Sequence, residues 1–574
     1  MRKLTCILLA AFVLSCSAAF AVEVHDVYAD KAMVSSAHEL ASRAGVEILK
    51  QGGNAIDATV ATMLALNVVE PAASGIGGGG FSLIRFAKTG EVVFLDYRET
   101  APASATKDMY ASEQAKKELW SLEGGKAVGV PGMVLGIFTA LEKYGTMTFA
   151  QVAEPAIRLA EEGFEVEPSL NTMFMDKFNI LKKFNEEKDI PYFSEGLPLS
   201  AGETLKQPLL AATFRLLGEK GPSAFYDGPI GEAVVKAVNS KGGAMTLEDL
   251  KSYRLEVREP VFGTYRGYKI YSAGPASSGG THILETLNIL ENFDLKALGH
   301  NTPDYLHLMA ETYKRVFADR QKYMADPAFT KVPLKGLTHK GYAAELAKGI
   351  DMKKASQTVT PGDPWPWEEG KKAEYKGDLR GSHHSTTHFS VVDAEGNIVA
   401  STNTINYWLG SGVIVPEYGF ALNNQMDDFA QDPESVNAPE PGKRPLSSMS
   451  PTIMLTEDDK PFMTLGAAGA WRIISGVCQT ILNVVDFGMT MDQAIEAPRI
   501  FCASWNGEQE DLDIETEFPQ SVMDDLKARG HKVHPATRLE DGGSFFGTVQ
   551  AILFKDGKMN GGADSRRLGV PVGY

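Results

Sequence analysis

Thr386-Thr387-His388-Phe389-Ser390-Val391-Val392-Asp393 and Ile398-Val399-Ala400-Ser401-Thr402-Asn403-Thr404 alternate well enough to form two strands. Ala394-Glu395-Gly396 between them suits a three-residue hairpin loop with Gly396 in the left-handed position. That register pairs Asp393 with Asn397 and, followed along both strands, sets Thr404 opposite Thr386. Facing residues point to one side of a sheet, with side chains about 5 Å apart. Asn406 follows two residues on, on the same face. The hairpin alone therefore puts a second hydroxyl and an amide beside Thr386. Threonine is a common strand residue and cross-strand threonine pairs are routine, so the spacing by itself describes an ordinary sheet rather than a site. His383, His384 and His388 invite a metal reading, but such a site would straddle a loop and a strand without a carboxylate at ligand spacing. Solvated loop histidines at 383 and 384 and a sheet histidine at 388 account for them.

Upstream of the hairpin, Thr360 to Arg380 has the composition of a linker. Pro361, Pro364 and Pro366 precede mixed charges from Glu368 onward, so the segment is expected to be exposed and mobile. Nearer the N-terminus, Ala37 to Lys50 has helical periodicity and stops at Gly52-Gly53, and Asn54 can cap a second helix to about Val69. Gly75-Ile76-Gly77-Gly78-Gly79-Gly80 formally matches G-x-G-x-x-G. A dinucleotide loop follows a strand and opens a helix, and here that order is reversed, so the glycines read as a tight turn where backbones pack closely. Val92 to Tyr97 reads as a strand ending at Arg98, and Thr148 to about Leu250 as mostly helical. Tyr268 to Ser272 is another strand, and Thr302 caps a long helix towards Tyr323. By residue type alone, Arg98 is a strand-end surface residue and Asp427-Asp428 a solvated turn.

The 574 residues include 56 basic and 73 acidic ones, a net charge of −17, which argues against nucleic acid or an anionic membrane surface as the partner. A hydrophobic share of 44% with 22% charged residues is that of a folded globular chain. Residues 1–21 read as a signal peptide: a basic Met1-Arg2-Lys3, an apolar Ile7 to Leu14, and the small-x-small Ala19-Phe20-Ala21. The mature chain would begin near Val22, in a periplasmic or secreted location. Val13-Leu14-Ser15-Cys16 is a competing, looser lipoprotein box that would anchor Cys16. No later apolar run approaches the ~20 residues of a membrane helix. Cys478 and Cys502 remain after the signal, and either a disulfide or two buried free thiols fits them.

Thr386 to Asp393 resembles the processing site of γ-glutamyltranspeptidases, in the N-terminal nucleophile hydrolase superfamily. Further blocks of that family occur in the family's order. They are Gly52-Gly53-Asn54-Ala55-Ile56-Asp57-Ala58, Gly77 to Phe81, Asp96-Tyr97-Arg98-Glu99, Asn423 to Phe429 and Pro445-Leu446-Ser447-Ser448-Met449-Ser450-Pro451. Together they span about residue 30 to the C-terminal Gly-Tyr. The resemblance implies an α+β fold, the four-layer αββα N-terminal nucleophile hydrolase sandwich, formed by two chains cut from one precursor between Ser385 and Thr386. The large subunit would be 22–385 and the small subunit 386–574. It implies Thr386 as nucleophile, with its freed α-amine as base and Thr404 holding its hydroxyl. Arg98, Ser447 and Ser448 would bind the α-carboxylate of a γ-glutamyl group, and Asn406, Gln425 and Asp428 would surround its ammonium. The N–H groups of Gly469 and Ala470, in the strand-to-helix turn from Gly466, would form the oxyanion hole.

Two departures stand out. Many family members carry Gly-Gly in the oxyanion turn, where this chain has Gly469-Ala470 followed by bulky Trp471. Alanine donates its N–H equally well provided the turn does not require φ > 0 there. The stretch from Ala430 to Gly442 also looks shorter than in bacterial relatives with a lid loop, so a more open pocket is expected. The activity implied is that of a γ-glutamyltransferase and glutathione hydrolase, passing the γ-glutamyl group of glutathione or related compounds to water or to amino acid and dipeptide acceptors. No metal or organic cofactor is implied. A glutaryl-type acylase is the nearest alternative, and Asp428 argues against it because a substrate without an ammonium leaves that carboxylate unpaired. A non-catalytic binding protein on the same scaffold would be expected to lack Thr386.

Overall fold

Gly396 has φ of +85°, and the Gly396 N–H bonds the Asp393 carbonyl at 3.0 Å, closing the three-residue loop as its sequence requires. The strands Thr387–Val392 and Ile398–Thr404 pair antiparallel with Thr387 against Asn403, so Thr386 and Thr404 face each other one step further on. The computed structural model describes residues 26–373, 375, 385–505, 508–538 and 545–574, with the side chains of 505, 508 and 509 excepted. Residues 1–21, and His383 and His384 with them, lie outside the described residues.

The hairpin sits in the middle of a seven-stranded antiparallel sheet. Its order is Val570–Gly573, Met33–Ser36, Thr387–Val392, Ile398–Thr404, Gly79–Arg85, Val92–Asp96 and Glu256–Arg258. A second antiparallel sheet of seven strands faces it. Its order is Val27–Ala29, Lys558–Ala563, Thr548–Lys555, Pro461–Ala468, Thr452–Leu455, Tyr268–Ser272 and Val261–Tyr265. Period-two alternation sorts the hairpin's side chains between two cores. Phe389, Val391 and Val399 join the core under the helices, while Val392, Ile398 and Ala400 join the core between the sheets. His388 and Ser390 share the inward face: a Cβ on Gly466 would lie 2.3 Å from the His388 ring, and Ser390 meets Thr464 at 3.4 Å. Thr386 belongs to that inward set, and Thr387 points the other way.

Helices cover both outer faces, giving the four-layer αββα arrangement. Helices Glu39–Lys50 and Ala55–Val69 pack on the first sheet, and Gly279–Leu290 and Arg472–Val485 on the second. Ala55–Val69 is apolar all round and accordingly buried along its whole length. Asn54 and Asp57 form a capping box at its start. Asp393 ties the hairpin loop to the same helix end, one oxygen accepting from Ala55 N at 2.9 Å and the other from Asn397 N at 2.9 Å. The glycine run is explained by contact. A Cβ would come within 2.2 Å of Ala421 O at Gly77, 2.1 Å of Thr404 O at Gly78 and 2.4 Å of Thr402 O at Gly80. None of these three needs a left-handed φ.

Two readings of the sequence need correction. The linker expected to be exposed is docked over its first part: Gly362 N donates to Asp319 Oδ1 at 2.7 Å, Trp365 is buried and Trp367 packs on Tyr342. The aromatic side chains in that segment outweigh its prolines. Cys478 and Cys502 are both free and buried, so the disulfide reading falls.

Candidate active site

Thr386 lies at the inner end of the hairpin and is 4% exposed. Its Oγ1 donates to the Ser385 carbonyl oxygen at 2.5 Å. Thr404 Oγ1 donates to the same oxygen at 2.9 Å and lies 3.3 Å from Thr386 Oγ1. Ser385 N donates to the Asn406 carbonyl at 2.6 Å, which fixes Ser385 beside the threonine. Asn406 does not continue the strand: φ of +78° turns it out, and its Nδ2 donates to Asn424 O at 2.9 Å. Behind the strand, Arg567 Nη1 donates to the Thr386 carbonyl at 2.6 Å, and Thr387 Oγ1 donates to Glu70 Oε2 at 2.6 Å. Burial pushes the Glu70 carboxyl up, against the pull of Arg567 and Thr387.

Thr386 opens on a cleft of about 310 Å³. All of Arg98, Thr404, Asn406, Gln425, Asp428, Ser447, Ser448 and Ala470 line it. Arg98 is 1% exposed, so it is no surface residue, and Asp427 and Asp428 do not form a solvated turn. The resemblance assigned Arg98 to the α-carboxylate and Asp428 to the α-ammonium of the same head group, and here, without it, they are ion-paired with each other through Arg98 Nη2 and Asp428 Oδ2. Arg98 also donates to the Pro445 and Leu446 carbonyls at 3.2 and 3.3 Å, which anchors it beside Ser447 and Ser448. Gln425 Nε2 donates to Asp428 Oδ2 at 2.7 Å, while Gln425 Oε1 is buried with no partner among the described residues. An acceptor beside a carboxylate is what a desolvated ammonium needs. Glu99 lies behind Arg98, 3.9 Å from its Nη1, and burial raises its carboxyl to about 7 against the pull of that guanidinium.

The turn after strand Pro461–Ala468 runs directly into helix Arg472–Val485. Gly469 has φ of +119° and Ala470 of +54°, so the turn does require the left-handed region where this chain carries alanine. Neither N–H is engaged by an acceptor among the described residues, which leaves both available to a developing oxyanion. No residue of 430–442 lines the cleft; that segment is pinned back by Asn437 Nδ2 on Asp428 O at 2.7 Å and by Lys443 Nζ on the Val436 and Ala438 carbonyls.

Sequence reasoning missed Arg320, Leu446, Met449, Trp471 and Ile473 in the cleft wall, and Glu99, Arg567 and Glu70 behind it. Arg320 sits among the alternating charges of helix Pro303–Tyr323, a composition that by itself does not point to a cleft. Its stretch Glu311 to Arg320 is in fact buried throughout, held together by ion pairs such as Lys314–Glu311 at 2.7 Å.

The family model described as gamma-glutamyltranspeptidase matches residues 41–574. The chain belongs to the γ-glutamyltranspeptidase family. It is 42% identical over 549 residues to the glutathione hydrolase proenzyme of Bacillus subtilis (strain 168), covering 94% of this chain and 91% of that protein. It is 39% identical over 561 residues to the acylase ACY 1 proenzyme of Pseudomonas sp. (strain SE83), covering 96% and 95%. Among solved structures, the cephalosporin acylase from Bacillus halodurans superimposes with a TM-score of 0.84 at 31% identity, over 96% of this chain and 97% of that one. The γ-glutamyltranspeptidase fold thus accommodates both hydrolases of γ-glutamyl compounds and acylases by name, and the choice between them rests on the cleft.

Proposed function

We propose that this chain is the precursor of a γ-glutamyl hydrolase and transferase that acts on glutathione or a related γ-glutamyl compound. The observation that carries the reading is a threonine hydroxyl against its own upstream carbonyl, opening on a cleft that holds a guanidinium, a carboxylate and an unused amide oxygen. That set matches an α-amino acid head group, with Arg98 for the carboxylate and Asp428 with Gln425 Oε1 for the ammonium.

In the precursor, Thr386 Oγ1 attacks the Ser385 carbonyl carbon and the C–N bond breaks, leaving Ser385 as an ester on the hydroxyl and a free α-amine on Thr386. Thr404, donating to the Ser385 oxygen at 2.9 Å, steadies the charge that builds there. Water then releases Ser385 as a carboxylate. In the mature enzyme the α-amine, with an ordinary pKa of about 7.7–8.0, takes the proton from Oγ1 as it attacks a γ-amide. The N–H groups of Gly469 and Ala470 receive the oxyanion, and the leaving amine departs protonated. Water or an amino acid or dipeptide amine then resolves the γ-glutamyl ester.

The cut pieces would stay together as a heterodimer because each sheet interleaves strands from both sides of residue 385: Thr387–Val392 lies between Met33–Ser36 and Ile398–Thr404. A glutaryl-type acylase remains the second reading on one observation. Asp428 already has Arg98 for a partner, so a substrate without an ammonium would not strand it. Export to the periplasm or medium is proposed from the signal-like N-terminus and is checked by cell fractionation.

The test is incubation of purified chain, N-terminal sequencing, and release from a chromogenic γ-glutamyl amide with and without a dipeptide. A smaller band starting Thr-Thr-His-Phe, with pieces of about 39 and about 20 kDa as shares of 62.1 kDa, is expected. An active enzyme that stays one chain would overturn the proposal.

A further inference from the structure

Of the two guanidinium groups in the cleft wall, Arg98 has Asp428 and Glu99 as neighbours, whereas the hydrogen-bond partners of Arg320 among the described residues are hydroxyls. Arg320 is 3% exposed and no carboxylate is ion-paired with it among the described residues. Burial pulls its pKa down to about 10, partly offset by the charge of Asp428, so it is still a cation at neutral pH. A buried cation without a counter-ion is costly unless an anion arrives to share its surroundings.

The hydroxyl geometry says where that anion goes. Arg320 Nε donates to Ser278 Oγ at 2.9 Å, and Ser278 Oγ passes its own proton to the Ser447 carbonyl at 2.7 Å. Arg320 Nη2 donates to Ser448 Oγ at 3.0 Å. Ser448 Oγ is thereby made an acceptor towards Arg320, and its own proton has no acceptor among the described residues. That proton is left for the cleft, which Ser448 lines. The serine loop packs closely against the start of helix Gly279–Leu290, where a Cβ on Gly279 would lie 2.6 Å from Ser448 O.

We propose that Arg320 is a positioning residue for the donor's α-carboxylate: it turns the Ser448 hydroxyl proton towards the cleft and leaves there a positive charge, only partly offset by Asp428, that an anionic head group completes. This rests on the γ-glutamyl reading above and adds to it a second cation and a direction for one hydroxyl. It predicts selection for the carboxylate specifically, not for the ammonium or the scissile amide.

The experiment compares two chromogenic anilides that differ only in that carboxylate, γ-glutamyl and 4-aminobutanoyl, on processed wild type, Arg320→Met and Arg320→Lys. Arg320→Met is expected to raise KM for the γ-glutamyl anilide about 30-fold or more, with kcat changed less than about threefold. For the 4-aminobutanoyl anilide kcat/KM should move less than about threefold, and Arg320→Lys should recover part of the KM loss. Where that anilide turns over too slowly, the same ratio is read from inhibition constants of L-glutamate and 4-aminobutanoate. Adding Ser448→Ala to Arg320→Met should cost clearly less than the product of the two single effects. Equal losses on both anilides, or a fall in kcat alone, would make Arg320 a structural pin and overturn the inference. If Arg320→Met fails to fold or process, the Lys variant carries the same test. Wild-type enzyme that turns over neither anilide would instead refute the γ-glutamyl reading itself, and this inference with it.

Discussion

Replacing Asp428 by Asn separates the two acyl groups that this cleft could hold. Asp428 Oδ2 accepts from Arg98 and, at 2.7 Å, from Gln425 Nε2, and its side chain is 12% exposed. A γ-glutamyl substrate must exchange that internal pair for two external ones, its ammonium on Asp428 and its carboxylate on Arg98. Asparagine keeps the shape and one acceptor but removes the counter-charge. Loss of one partner from a buried ion pair costs on the order of 2–5 kcal/mol, or about 30- to 5,000-fold in kcat/KM. The low end applies here for two reasons. The site keeps some solvent contact, and the variant also releases Arg98, which improves its grip on the carboxylate. A glutaryl group has no ammonium to place on Asp428, whose partner remains Arg98, so the same variant removes no substrate contact and should leave its kcat/KM unchanged or raise it. The assay is kcat/KM for matched γ-glutamyl and glutaryl amides on processed enzyme before and after Asp428→Asn. The ratio should fall at least about tenfold. Equal changes on both substrates would mean that Asp428 serves only to hold Arg98, and the ammonium site would have to be sought elsewhere.

Thr386→Ala should give an intact, inactive single chain on a denaturing gel, since neither the attack on Ser385 nor the later chemistry has a nucleophile; processing in that variant would refute the assignment. Ala470→Gly should relieve a left-handed alanine, a strain of ~1–2 kcal/mol set against ~0.5–1 kcal/mol of extra chain entropy, and so raise the unfolding midpoint slightly while kcat stays within about tenfold. A drop in stability would mean that the alanine methyl packs better than its φ of +54° costs. Burial holds His388 down at about 3, so the folded protein keeps it neutral where the unfolded chain protonates it. Its contribution is complete above the unfolded value near 6.5 and is lost as pH falls towards 3, reaching ~2 kcal/mol at pH 5. Urea titrations of the uncut Thr386→Ala chain should show that acid limb flattened by His388→Gln; an unchanged limb would assign it to other groups.

What the sequence made legible follows from range. The hairpin register was readable because a closed three-residue loop leaves one pairing, and the inward set at Thr386 follows from period two. The helix from Asn54 was readable from its cap and its apolar run. The burial of Arg98 was not, because its partner Asp428 lies 330 residues away and a lone arginine at a strand end looks solvated. Arg320 was hidden for the same reason, with Ser278 and Ser448 at 42 and 128 residues' distance. Gly469-Ala470 announced two N–H donors but not their φ, which the strand-to-helix geometry imposes. The docked linker shows composition misleading in the other direction: prolines and charges argued for exposure, but Trp365 and Trp367 had apolar partners in Tyr375 and Tyr342.

The contacts behind Thr386 answer a difficulty that the proposed chemistry creates. Cutting at Ser385 makes the nucleophile a chain terminus, and termini fray unless tied down. Thr386 must also supply its own base, so nucleophile and base would be lost together if the residue swung away. Here the Thr386 carbonyl is held by Arg567 at 2.6 Å and the next residue's hydroxyl by largely covered Glu70 at 2.6 Å, so the first two residues of the proposed new chain would be fixed from the side away from substrate. Arg567 is itself packed over Trp408, 4.6 Å from the ring centre, which limits its own freedom. In the proposed cut chain, its charge so close to the new α-amine would disfavour the protonated form, and a neutral amine is the form that can accept the Thr386 proton. Glu70 works against this effect only to the extent that it is ionised, and burial raises its pKa. On the proposed chemistry, anchoring and activation of the nucleophile would fall to the same guanidinium, and Arg567→Lys, a point charge without the fork, should keep part of the activation while loosening the anchor.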